Sequence, residues 1–205
     1  MEKETLEQRI LDFIAQNGGY ATMKELKEQS VRTAEIKRLV AEGMLDKIKA
    51  GLYRLSDLEY PQNVSIGFLD AAKAIPSGVI CLISALSYYG LTTFNPSFVY
   101  VAIPNRQSAA KILFPPIEFF YFRDSVYNLG IETISTIYGN IPIYSKEKTI
   151  CDMFRYRNKL GEDIAIEALK NYISDTSANL HELKKYAEIG QVKNVLLPYL
   201  KALVG

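Results

Sequence analysis

The chain has 205 residues, 24 Lys and Arg against 23 Asp and Glu, a formal charge of +1 and 48% hydrophobic residues. That length gives one or two packed domains, and near-neutrality excludes a chain that coats polyanions along its whole length, so any nucleic-acid contact must come from local patches. Cys81 and Cys151 are far apart in apolar patterns and read as reduced, buried thiols; with His181 as the sole histidine they fall short of the roughly four ligands of a structural zinc site.

Met1-Glu2-Lys3-Glu4 leads straight into an amphipathic helix, unlike a signal peptide. The longest apolar stretch, residues 78–91, carries Ser and Tyr and is too short to span a bilayer. The chain therefore reads as a soluble cytoplasmic protein with no membrane partner. No internal repeat or low-complexity segment is present.

The first helix is expected over Glu4 to Gln16, with Leu6, Ile10, Phe13 and Ile14 at helical spacing, and Asn17-Gly18-Gly19 ends it. Its outer face carries Glu4, Glu7 and Asp12 and is expected to face away from DNA. Thr22 and Glu25 form a T-x-x-E capping box that opens a helix over Met23 to Gln29. Ser30 is the expected N-cap of the next helix, Val31 to Glu42, and Gly43 the stop. Two short runs, Met44 to Lys49 and Leu52 to Leu55, flank the Ala50-Gly51 turn and read as a hairpin. Helix, turn, helix and hairpin outline a winged helix-turn-helix.

At about 100° per residue, Ile36, Leu39 and Val40 share one face of the third helix, and Thr33, Ala34, Lys37, Arg38 and Ala41 the opposite one. In a helix-turn-helix that opposite face enters the major groove, where small Ala34 and Ala41 admit the backbone and Lys37 and Arg38 reach phosphates or guanine edges. Arg32 lies nearer the apolar side and is given a backbone contact at best. Lys47, Lys49 and Arg54 on the wing are expected on flanking phosphates. From Thr22 to Leu55 there are eight Lys/Arg against five Asp/Glu, a surplus below that of a strong nucleic-acid footprint. The same helix pair and hairpin also serves as a protein-docking module.

Residues 57–63, turn-rich with Pro61, form the expected linker between a winged domain over 1–56 and a second domain over 64–205. That second domain is expected to hold a helix over Ser65 to Ile75, a largely buried one over Gly78 to Tyr89, and four strands: Phe98 to Ile103, Glu118 to Phe122, Gly130 to Ile137, and Ile141 to Tyr144 after a Gly139-Asn140 turn. Asn105 to Leu113 reads as a short helix or a mobile loop. Helices follow over Lys146 to Lys159 (capped by Ser145), Asp163 to Ser174, Asn179 to Ile189, and Val192 to Val204 with Pro198 inside. The fold class is α+β: a winged helix-turn-helix followed by a mixed domain of helices and a small antiparallel sheet.

No catalytic constellation stands out. His181 has no local nucleophile, and there is no phosphate-binding glycine motif. Glu162 and Asp163 sit at a helix start, where the dipole favours them. A nuclease or nucleotidyltransferase reading through Glu147 or Asp152 would need convergent carboxylates, and Asp152 is flanked by basic residues. The chain is therefore read as a non-enzyme without a cofactor. Lys148, Asp152, Arg155 and Lys159 recur at spacings of four, three and four on one helix face. They form either a self-paired solvated row or a net positive stripe for an acidic surface or RNA.

Four stretches together resemble the AbiEi-type antitoxins of type IV toxin–antitoxin and abortive-infection (phage-defence) systems. They are residues 19–22 through Gly51-Leu52-Tyr53-Arg54-Leu55, Ser84 to Thr92, Val99 to Pro104, and Tyr144 to Asp152 followed by Arg155. Tyr89 departs from the pattern, where many members have histidine. The resemblance implies an N-terminal domain that represses its own operon at inverted repeats in promoter DNA. It also implies a C-terminal domain that antagonises a cognate nucleotidyltransferase toxin, by direct contact or in effect only. A monomer in solution that is cooperative on DNA fits this implication. By motif matching, Lys148, Asp152 and Arg155 become candidates for the antitoxin surface, and Thr33, Lys37, Arg38, Lys47 and Lys49 for the DNA surface; the helix row adds Lys159 to the first set, and the first turn and the wing add Arg32 and Arg54 to the second. A winged-helix regulator with a ligand- or protein-sensing C-terminal domain and no toxin is the alternative.

Overall fold

A computed structural model describes residues 5–60, 64–109 and 111–204. Glu4 of the first expected helix and Pro61-Gln62-Asn63 of the expected linker lie outside the described residues.

The N-terminal part is a winged helix-turn-helix. Its elements are α1 (Leu6–Gln16), β1 (Tyr20–Thr22), α2 (Met23–Glu28), α3 (Thr33–Ala41), β2 (Leu45–Lys49) and β3 (Leu52–Leu55). The capping box at Thr22 and Glu25 is formed, with Glu25 N donating to Thr22 Oγ1 at 3.2 Å and Thr22 N to Glu25 Oε2 at 2.7 Å. Ser30 does not cap α3. It takes the left-handed conformation (φ 62°) just after α2, while Val31 N donates to the Leu26 carbonyl at 3.0 Å and Ser30 N to Lys27 at 2.9 Å. This is the closure of a Schellman motif, usually made by glycine. The N-cap of α3 is therefore Arg32, whose own N–H donates to Glu35 Oε2 at 2.6 Å.

The three strands form one sheet in the order β1-β3-β2, antiparallel throughout. Alternation divides its side chains between two cores. Ala21, Leu45 and Tyr53 face α1, α2 and α3 and pack with Ile10, Ile14, Leu26, Ile36 and Leu39. Tyr20, Ile48 and Leu52 point the other way and join a core with Phe68, Leu69, Ile75, Ile80, Val101 and Ile143. This second core crosses the expected linker, so the wing sheet is buried on both faces.

The rest of the chain comprises α4 (Ile66–Ala74), β4 (Val79–Ile80), α5 (Leu82–Tyr88), β5 (Val99–Pro104), β6 (Ile117–Phe122), α6 (Asp124–Tyr127), β7 (Ile131–Thr136), β8 (Gly139–Tyr144), α7 (Lys146–Leu160), α8 (Glu162–Ile173), α9 (Leu180–Ile189) and α10 (Lys193–Val204). Two expectations shift here. Residues 79–80 form a strand instead of opening the helix, because Cys81 N donates to the Tyr100 carbonyl and Ile80 pairs Val101. The β7–β8 turn is at Ile137-Tyr138, with Gly139 and Asn140 already paired to Thr136 and Ser135.

The second sheet runs β6-β5-β4-β8-β7. It is mixed, not antiparallel as expected: β5/β6 and β4/β8 are parallel, β4/β5 and β7/β8 antiparallel. The two-residue β4 is the central strand, and it escapes a strand search because it is so short. One sheet face packs on α4 and the wing; the other packs on α5 and on α7 to α10 around Leu86, Phe122, Tyr144, Phe154, Leu169 and Leu183.

In the segment expected as a short helix or loop, the described residues 105–109 and 111–113 form no helix, and Ile112 and Leu113 dock on the wing. Leu113 N donates to the Ile48 carbonyl at 2.9 Å, and Ile112 bridges Lys49. This covers the free edge of β2.

Candidate nucleic-acid interface

The solvent face of α3 is built by burying the opposite one. Ile36 and Leu39 are fully enclosed, which turns Thr33, Ala34, Lys37, Arg38 and Ala41 outward. Arg32 is also exposed at the start of the helix, and Lys47 at the wing. These residues form a face of the size and chemistry that enters a major groove in a helix-turn-helix.

Arg38 is not free on that face. Its Nη2 lies 3.0 Å from Glu7 Oε2 on α1 and its Nε 3.8 Å from Glu42. Glu7 of the acidic face of α1 therefore borders the outward face of α3. Helical angles within α3 could not show this, because Glu7 comes from a different helix.

Two wing cations are not placed for phosphates. Arg54 is 6% exposed: Nη1 donates to Asp70 Oδ2 at 2.7 Å and Nη2 pairs with Asp46. Tyr20 donates its hydroxyl to the other Asp70 oxygen at 2.9 Å. Lys49 is half-buried and donates to the Ala74 carbonyl at 2.6 Å, at the C-terminal end of α4 where the helix dipole favours a cation. Both lie on the sheet face that meets α4. An isolated wing would show them to solvent, and the sequence holds no local sign that this face is covered.

The row on α7 also divides. Lys148 (2% exposed) and Asp152 (1%) are buried and paired with each other, so they do not belong to a solvated stripe. The Lys148 ammonium sits 4.4 Å from the Tyr144 ring centroid and 4.7 Å from that of Phe122. Burial pushes the Asp152 carboxyl above the usual range, and Lys148 and then Arg155 pull it back. Arg155 does not bracket Asp152 as a surface ion pair; it is half-buried and donates to the Gly190 carbonyl. Lys159 is exposed, pairs with Glu118 at 2.8 Å and covers the Phe120 ring. The spacing of this row was legible, but α9 and strands β6 and β8, packed against α7, were not.

Cys81 and Cys151 are free, buried thiols, each pushed up by burial. Tyr89, the departure in the α5 motif, donates its hydroxyl to Glu132 Oε2 at 2.9 Å. His181, Glu162 and Asp163 are exposed. Among the described residues no three His, Cys, Asp or Glu side chains converge as a metal site, and no helix is long and apolar enough to cross a membrane.

Helix, turn, helix and wing, with a polar outward face on α3, define a winged helix-turn-helix module. Residues 8–56 match the model of a family described as a transcriptional regulator, AbiEi antitoxin, and the match covers α1 through β3. No curated protein matches the chain.

Proposed function

We propose that this protein is the antitoxin of a type IV toxin–antitoxin system, represses its own operon by binding promoter DNA, and antagonises a nucleotidyltransferase toxin in the cytoplasm. The observation that carries the DNA half is the outward set Thr33, Lys37 and Arg38 on α3 within the matched region 8–56. Lys37 and Lys47 supply phosphate contacts, Arg32 lies at the helix start, and Arg38 competes between Glu7 and DNA. The antitoxin half rests on the C-terminal motif resemblance. Of its four candidates on α7, Arg155 and Lys159 have side chains within reach of a partner. Lys148 and Asp152 act from the interior by fixing the helix. The winged module spans 1–56, and residues 64–205 carry the antitoxin role.

A gel-shift titration against the native upstream promoter and a shuffled control, at two salt concentrations, tests the repressor half. Promoter-selective binding that weakens with salt is expected. Equal affinity for both sequences would remove the repressor role and leave a docking module. Coexpression with the neighbouring toxin tests the other half: rescue of growth is expected, and its absence at full protein level would favour a regulator without a toxin.

A further inference from the structure

A cleft of about 440 Å³ opens between β6, α6, α7 and the α9–α10 turn, on the sheet face opposite the wing. Its volume falls within the range of small-ligand sites. The lining includes Asn105, Tyr121, Arg123, Arg155, Tyr156 and Gln191, and no carboxylate. In a chain whose charges otherwise balance, two guanidiniums without a lining acid make a local positive site. Neither arginine has a carboxylate ion-pair partner among the described residues.

The cleft is braced from behind. Lys148 and Asp152 pair on the same helix before Arg155, and the Lys148 ammonium lies against both the Phe122 and Tyr144 rings. Phe122 stacks in turn on Tyr156, at 6.0 Å and 11°. Arg155 is held by the Gly190 carbonyl, an approach glycine permits: a Cβ on Gly190 would lie 3.0 Å from Arg155 Nη2 and 2.8 Å from the Tyr186 carbonyl. One Arg155 nitrogen is thereby fixed, and the fork keeps further donors. Arg123, exposed at the end of β6 on the cleft lining, is the second fork.

We infer that this cleft binds a nucleotide, with its phosphates on Arg123 and Arg155 and its base edge on the side-chain amides of Asn105 and Gln191. Guanidinium forks match phosphate oxygens in geometry and charge. The amides of Asn105 and Gln191 offer both donors and acceptors, which suits base edges better than it suits a simple anion. The row read in the sequence as a stripe is thus a buried brace, Lys148 and Asp152, carrying one ligand-facing cation, Arg155.

Isothermal titration of the full chain with each of the four ribonucleoside triphosphates, and with inorganic tripolyphosphate, tests the site. At least one nucleotide is expected to saturate below about 1 mM and to bind about tenfold or more tighter than tripolyphosphate. Arg123→Gln and Arg155→Gln should each weaken it about tenfold or more, and Asn105→Ala with Gln191→Ala should weaken the nucleotide but not tripolyphosphate. Lys170→Gln, an exposed cation on α8 outside the cleft, should change nothing. Thermal melts of each variant establish folding, and exposed Arg123 keeps the test readable if Arg155→Gln unfolds. A short oligoribonucleotide with a 5′-triphosphate separates the two sources of this chemistry: tighter binding than the free nucleotide identifies an RNA end, weaker binding a free nucleotide. No saturable binding, binding that survives both arginine changes, or tripolyphosphate binding as tightly as every nucleotide would overturn the inference.

Discussion

Arg54 of the wing and Asp70 of α4 form a buried ion pair at 2.7 Å, and that pair fastens the winged helix-turn-helix to the rest of the chain. Asp70 is fully buried and also accepts from Tyr20 at 2.9 Å, and Arg54 holds Asp46 with its other nitrogen. Removing Arg54 leaves the enclosed Asp70 carboxyl with only the Tyr20 hydroxyl, which costs about 3–5 kcal/mol, whereas removing Asp70 leaves Arg54 its Asp46 partner. Arg54→Ala is therefore expected to destabilise the protein on that scale and Asp70→Ala by less. Urea unfolding that shows less than about 1 kcal/mol for both would mean the pair is open in solution.

The same pair carries a pH dependence of unusual sign. Burial pushes the Asp70 carboxyl up to about 6, against the pull of Arg54 and the Tyr20 hydroxyl. An unfolded Asp titrates near 4, so between about pH 4 and 6 the folded chain holds a proton that the unfolded chain has lost. Asp70 thus adds stability as pH falls through 6, reaching its full contribution below about 4. Asp70→Asn should lack this component, so the stability of wild type relative to the variant should rise from pH 7 to pH 5. Parallel curves across that window would show that Asp70 is not shifted.

Ser30 sits in the left-handed region at φ 62°, where a side chain costs about 1 kcal/mol or more relative to glycine. It is exposed, so nothing packs against its hydroxyl to offset that cost. Ser30→Gly should raise stability by about 0.5–1 kcal/mol, less the entropy glycine adds to the unfolded chain. It should leave α3 in place, because Arg32 and not Ser30 begins that helix. A destabilised Ser30→Gly would show that the serine caps α3 in solution after all.

These corrections share a physical origin. Local signals located the helices: the Thr22–Glu25 box, the Ser145 cap and the apolar face of α3 all lie where the spacing predicts. The α+β class, with its winged helix-turn-helix, followed from the order of those signals. Contacts between distant segments were not legible. Arg54 and Lys49 read as wing cations until α4 covers the sheet, and Lys148 reads as solvated until Phe122 and Tyr144 enclose it. Strand β4, two residues long, carries too few side chains to show a period, although the sheet is built around it.

The clearest test of the recognition face compares Lys37 with Arg38. Lys37 is exposed and has no ion-pair partner among the described residues, whereas Arg38 already holds Glu7 at 3.0 Å and Glu42 at 3.8 Å. A cation that must leave a carboxylate before it meets a phosphate gains less from DNA. Lys37→Ala should therefore weaken promoter binding by about 1–3 kcal/mol if it meets a base, or reduce the salt slope by about one if it meets a phosphate. Arg38→Ala should do less than Lys37→Ala. Glu7→Gln should tighten binding and steepen the salt dependence, since it frees the Arg38 guanidinium and removes a negative charge beside the groove face. All three variants should melt close to wild type, because exposed pairs contribute at most about 1 kcal/mol. Gel shifts at two salt concentrations read every arm. Weaker binding by Glu7→Gln would mean that Glu7 positions Arg38 for DNA instead of competing for it. Unchanged affinity in Lys37→Ala would take α3 off the DNA.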